Sequence, residues 1–212
     1  MSRSFLRLAA RRSFLSGLVA ALICSTVCSA VEVTVVELPN GKSPDGTFYL
    51  RVRKRPKSGE ATSMELVATA TGKVAATATV GGYAGSALAE ANTAAVVWSP
   101  DSRKFALMTR DTKRSTNTRV FRADASGLRE IDLPSATDAA FKLLGAKESY
   151  RCVFQRPTRW LNTDTLLIQV SGDIVKETGD KVPVWYEVDV IYKLSEKKVL
   201  DSKLISTKPR EG

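Results

Sequence analysis

Trp98-Ser99-Pro100-Asp101-Ser102-Arg103-Lys104-Phe105-Ala106-Leu107 is the stretch that decides the fold. Proline presets φ at a turn corner, and a neighbouring aspartate accepts backbone N–H groups inside the turn. The tryptophan in front is a large apolar plug, and Phe105-Ala106-Leu107 behind it starts a strand. Two further stretches follow the same order of chemistry. Ser43-Pro44-Asp45-Gly46 precedes Thr47-Phe48-Tyr49-Leu50, and Trp160-Leu161-Asn162-Thr163-Asp164 precedes Thr165-Leu166-Leu167-Ile168. Each is followed by a strand, a hairpin and another strand. The chain therefore reads as three units of about four strands each.

These three stretches resemble the TolB-type β-propeller repeat, whose consensus reads Trp-Ser-Pro-Asp-Gly-Lys-x-apolar-Ala. The middle copy departs from it only by Ser102 in place of Gly. The first has Lys42 where the Trp stands, and the third lacks Ser-Pro and is a residue short. The resemblance implies structural turns at Asp45, Trp98, Pro100, Asp101, Trp160 and Asp164. It also implies a protein that binds proteins or ligands and is seldom catalytic. The Asp positions lie about 60 residues apart, against ~40–45 for a typical blade. Three units also fall short of the ~4–8 blades of a closed propeller. The expected fold is all-β and antiparallel: an open or incomplete propeller, or an irregular sandwich.

Outward from the repeats, alternating or apolar runs bounded by turn residues mark the remaining strands. Val31 to Val35 opens the series, with Pro39-Asn40-Gly41 as a break. Met64 to Ala70 and Val74 to Val80 form a hairpin. Gly81 to Glu90 reads as a glycine-rich loop with a short helical stretch. Thr118 to Ala123 and Leu128 to Leu133 form a second hairpin. Arg151 to Phe154 is a strand, and Trp185 to Leu194 and Val199 to Ile205 form the last hairpin. One short helix is expected near 135–145, capped by Ser135 and ended by Gly145. Residues 31–205 form one β domain, with 206–212 as a flexible tail.

Residues 1–30 have the three parts of a secretory signal. Arg3, Arg7, Arg11 and Arg12 form a basic head, Phe14 to Val27 is uncharged and apolar, and Cys28-Ser29-Ala30 offers a cleavage site. The apolar run is too short to cross a ~30 Å hydrocarbon core comfortably. Arg11-Arg12-Ser13-Phe14-Leu15 resembles the twin-arginine export motif, and an ordinary secretory signal with a basic head stands beside that reading. The expected location is periplasmic or secreted, after cleavage near Ala30, with no transmembrane segment in the mature chain.

The 212-residue chain has 32 Lys and Arg, 22 Asp and Glu, and no histidine. Without histidine, Ser-His-Asp and Cys-His catalysis and histidine-held metals are excluded in their usual forms. Cys152 is the one cysteine outside the signal, so no intrachain disulfide stabilises the domain. It reads as a buried thiol or as one half of an intermolecular disulfide. No cofactor motif and no metal motif is found.

Arg51, Arg53, Lys54, Arg55 and Lys57 concentrate positive charge and form a candidate polyanion contact. The structural alternative is a solvated strand end that discourages edge pairing. Arg110, Lys113, Arg114, Arg119 and Arg122 form a second basic cluster. Asp173, Glu177 and Asp180 read as acids of one loop, without the spacing of a calcium loop. Glu187 and Asp189 share one strand face, as a catalytic pair or as the wet side of an antiparallel strand. The sum of these features is a non-enzymatic envelope protein presenting a β surface to another macromolecule, an envelope protein or a polyanionic surface rather than nucleic acid. The alternative is a carboxylate-based enzyme or a small-ligand-binding protein of the periplasm. A deep pocket with two converging acids would favour that alternative.

Overall fold

The computed structural model describes residues 34–54, 61–79, 96–124, 127–146, 152–175 and 183–209. The strands expected from the three turns are present. The first unit is an antiparallel meander of β1 (Thr34–Lys42), β2 (Phe48–Lys54), β3 (Ala61–Ala68) and β4 (Val74–Ala78), paired in that order. The second runs β5 (Val96–Trp98), β6 (Lys104–Thr112), β7 (Ser115–Asp124) and β8 (Gly127–Ile131). The third runs β9 (Val153–Trp160), β10 (Thr165–Val175), β11 (Pro183–Lys193) and β12 (Lys198–Pro209). A short parallel link, Ser115 to Val153 and Thr116 to Phe154, fuses the second and third meanders into an eight-stranded sheet. No ladder among the described residues joins the third unit to the first, so the array is open. It is compatible with an incomplete propeller or with a sandwich.

Alternating strands bury one face each, and the units stack through those faces. Between the first and second units lie Leu50, Val52, Met64 and Leu66 against Trp98, Phe105, Leu107 and Phe121. Phe105 stacks on Phe121 at 5.3 Å between ring centroids. The opposite face of the second unit, at Ala106 and Val120, joins a second core with Ile168, Val170, Tyr186, Val188, Val190 and Tyr192. Helix α1 (Ala136–Leu144) contributes Ala136 and Ala140 to that core. Ser135 Oγ accepts from the Asp138 N–H at its start, and Gly145 takes a left-handed φ of 63° at its end, as the sequence predicts.

Three expectations change. Pro39-Asn40-Gly41 does not break β1, which continues to Lys42 through a register irregularity between Glu37 and Lys42. Asn40 absorbs the irregularity with φ of 55°, and asparagine tolerates that conformation better than most residues. The supposed tail is not loose as far as Pro209: Ser206, Thr207, Lys208 and Pro209 pair with Glu187, Tyr186, Trp185 and Val184. The polar composition there belongs to an edge strand. Asp173 lies within β10 rather than in a loop, fully buried, and accepts from the Cys152 N–H at 2.9 Å. Glu177, Asp180 and the glycine stretch 81–90 fall outside the described residues.

Candidate functional site

The first two turns are built alike. Ser43 Oγ donates to Asp45 Oδ1 at 2.6 Å and accepts from the Phe48 N–H at 3.0 Å. Ser99 Oγ donates to Asp101 Oδ1 at 2.6 Å and accepts from the Lys104 N–H at 2.9 Å. Asp45 Oδ1 accepts from Thr47 N–H, and Asp101 Oδ1 from Arg103 N–H. The Ser43 hydroxyl, with Thr47, holds the Asp45 carboxyl well below the usual carboxylate range. Burial pushes Asp101 upward, but the Ser99 hydroxyl, the Arg103 N–H and the charges of Lys104 and Arg103 outweigh it and leave the carboxyl lowered.

The turns also join the units to one another. Trp98 Nε1 donates to Gly41 O of the first unit at 3.0 Å, and Trp160 Nε1 donates to Val97 O of the second at 3.0 Å. Each tryptophan thus ties its unit to the first strand of the unit before. Lys42 stands at this place in the first unit. Gly41 is required where it stands, since a Cβ there would lie 2.7 Å from Leu38 O. Ser102, where the consensus has Gly, carries a positive φ of 59°. Its hydroxyl accepts from the Asp45 N–H at 3.1 Å and so links the first two turns. Lys104 Nζ donates to Thr163 O at 2.6 Å and lies 5.9 Å from the centre of the Trp160 ring, linking the second turn to the third.

Asp164 does not close its own turn. Asn162 does, accepting from the Asp164 N–H at 2.8 Å. The Asp164 carboxylate accepts instead from Ser195 N–H and Ser195 Oγ, in the turn between β11 and β12. The residues of the repeat are therefore architecture: they shape turns and tie units.

Arg51 and Arg53 do share a face, but they converge on Glu65 of β3, at 2.7 and 3.3 Å. Glu65 is only 3% exposed. This buried carboxylate offsets one of the five positive charges of the candidate polyanion contact and ties Arg51 and Arg53 to the sheet. Sequence reading missed Glu65 because its partners lie across a strand pair, at Arg51 directly opposite. Lys54 ends β2, and Arg55 and Lys57 lie outside the described residues. Glu187 and Asp189 are half-exposed, while Tyr186, Val188, Val190 and Tyr192 between and around them are buried. That makes the acids the wet side of β11, and Glu187 Oε2 accepts from Ser206 Oγ at 3.3 Å. Cys152 is half-buried rather than buried.

Two surface features stand apart from the architecture. One is a cavity of about 550 Å³ at the seam of the second and third units. It opens where β8 and β9 both leave β7, at Asn117, Thr118 and Arg119. Arg119 binds Glu130 with two contacts, 2.7 and 2.5 Å. Gln155 accepts from the Thr118 N–H and donates to Thr137. Glu130 is held by Arg119, so it does not converge with Asp132 as a free acid pair. The other feature is β12, at the end of the larger sheet. Leu200, Leu204 and Ile205 on it are 46%, 43% and 47% exposed. No helix among the described residues is long and apolar enough to cross a membrane.

No family model matches the chain, and no curated protein matches it in sequence. Among solved structures it is similar to the acylaminoacyl peptidase of Pyrococcus horikoshii (orthorhombic crystal form), at 12% identity and a TM-score of 0.45. That likeness covers 84% of this chain and 25% of the peptidase. It is also similar to the AtxE2 isopeptidase in its apo form, at 13% identity and a TM-score of 0.39, over 82% of this chain and 30% of that one. The chain thus spans well under half the length of either protein. Strand pairing, not this likeness, carries the architecture described above.

Proposed function

We propose that the domain works outside the cytoplasm as a binding module of the TolB-like kind, presenting a β surface to another macromolecule by contact rather than catalysis. The observation that carries this reading is β12: a long terminal strand with three large apolar side chains turned out to water. Free strand edges pair with extended segments of partners, and side-chain contacts then supply specificity. Lys203 and Lys208 lie on the same strand, where lysine discourages pairing with a second copy and favours an acidic partner. The signal-like residues 1–30 and the absence of histidine support the same reading.

The experiment is photo-crosslinking from position 200 in living cells, with position 71, in an exposed turn of the first unit, as the control site. Protein recovered from the extracytoplasmic fraction should have a mass that starts at Val31 and should carry a discrete protein adduct from position 200 alone. Leu204→Glu with Ile205→Glu should remove that adduct. Because both side chains are exposed, stability should stay within about 0.5 kcal/mol per substitution. An adduct that survives the double substitution, or an equal one from position 71, would sink the reading.

A further inference from the structure

We infer that the seam cavity is a binding site for a neutral, polyhydroxylated small molecule of mono- or disaccharide size. The inference is independent of β12, because the cavity is lined by β7, β8, β9, β10, β11 and the start of α1. Its volume falls within the ~300–1,000 Å³ range of small-molecule sites. Most such sites are chiefly apolar, whereas Asn117, Arg119, Glu130, Asp132, Ser135 and Gln155 give this one a polar wall. Ile131 and Leu133, both half-buried, provide an apolar side, where the C–H face of a sugar ring would rest, with Ile168 and Tyr192 buried behind them.

The charge balance selects among polar ligands. Arg119 and Glu130 cancel through their two-point contact, and Asp132 leaves one surplus negative charge. Phosphates and carboxylates are therefore disfavoured, while hydroxyls, which both donate and accept, suit amide, hydroxyl and carboxylate neighbours alike. The wall is also held in place before any ligand arrives. Asn117 Oδ1 and Gln155 Oε1 both accept from the Thr118 N–H. Ser135 is fixed as the helix cap by the Asp138 N–H. Tyr192 donates its hydroxyl to Pro134 O at 3.0 Å. Side chains locked in this way lose little freedom on binding, which lowers the cost of recognition.

The test uses D-glucose, N-acetylglucosamine and maltose as neutral probes and glucose 6-phosphate as the charged comparator. Saturation-transfer NMR should show at least one neutral sugar bound to the full domain at about 10 mM, the range that detects millimolar affinities. Asp132→Ala, at an exposed position, should weaken that binding about fivefold or more without lowering the melting temperature. Leu133→Trp, which narrows the cavity by putting an indole ring at its apolar wall, should weaken it about fivefold or more as well. The Leu204→Glu and Ile205→Glu protein should keep it, so that failure of the sugar site and failure of the β12 edge are read separately. No transfer to any neutral sugar, tighter binding of glucose 6-phosphate, or binding indifferent to both cavity substitutions would overturn the inference.

Discussion

The turns at Ser43 and Ser99 and the turn after Trp160 hold equivalent places in three meanders, yet they are held by different means. In the first two, a serine hydroxyl at the centre is bonded to the aspartate and to the returning strand. In the third, the chain returns a residue sooner, with Leu161 N–H donating to Thr165 O at 2.8 Å. Asn162 makes the internal bond, and Asp164 is released to reach Ser195. The same strand-entry geometry thus needs a polar centre but not one particular residue. Where the aspartate is spared from its own turn, it braces a neighbouring one.

The largest expected effect tests the ties between units. Trp98 is almost fully buried, packs on Phe105 at 4.9 Å between centroids and donates to Gly41 O. Trp98→Ala should destabilise the domain by about 3–5 kcal/mol. Lys42, at the matching place in the first unit, is exposed, and Lys42→Ala should fall within about 0.5 kcal/mol of wild type. Chemical denaturation of both variants checks the contrast. A Trp98→Ala loss no greater than that of Lys42→Ala would mean that the units do not stack as described.

A middle-sized effect separates the two kinds of turn. The Ser99 side chain is fully buried, and its loss leaves the Lys104 N–H and the Asp101 carboxylate without their centre. Ser99→Ala should cost about 1–3 kcal/mol. Asn162 is exposed, so water replaces its lost bond, and Asn162→Ala should cost about 0.5–1 kcal/mol. Equal losses in thermal melts would show that the hydroxyl-centred turn has no advantage over the Asn162 turn.

What was legible in the sequence was local. Ser-Pro-Asp encodes its turn within a few residues, and Ser135 with Gly145 encodes both ends of α1. The three units therefore followed from the residues themselves. What was hidden depended on residues far apart. Nothing near Gly41 announces that Trp98 will donate to its carbonyl. Nothing near Arg51 and Arg53 announces Glu65 across the sheet. Pro39-Asn40-Gly41 misled because a bulge uses the same residues as a break, and only pairing with β2 distinguishes the two. The run from Ser206 to Pro209 looked loose because an edge strand that faces water is polar. The seam cavity had no sequence signal, since its lining comes from the place where three strands part.

The smallest expected effect is a difference in acid sensitivity between the turns. The Asp45 and Asp101 carboxyls are both lowered in the folded protein. A group lowered on folding binds fewer protons in the folded state than in the unfolded one. Its stabilisation is complete above the unfolded value of ~3.8 and is lost as pH falls below it towards the folded value. Asn162 has no proton to gain, so the internal bond of the third turn is indifferent over that range. Glu196 also contributes to the acid response, because hydrogen bonds from Lys193 and then Lys198 hold its carboxyl down at about 2. Melting temperature followed from about pH 5 to pH 2 should therefore fall in the wild-type protein. In the Asp45→Asn, Asp101→Asn protein the midpoint should be lower near neutrality but should decline less steeply. Glu196→Gln should flatten the remaining slope. All three groups are largely open to solvent, and salt screening keeps each contribution small. If the doubly substituted protein lost stability with acid as steeply as wild type, the two aspartates would hold their turns no more firmly than Asn162 holds its own.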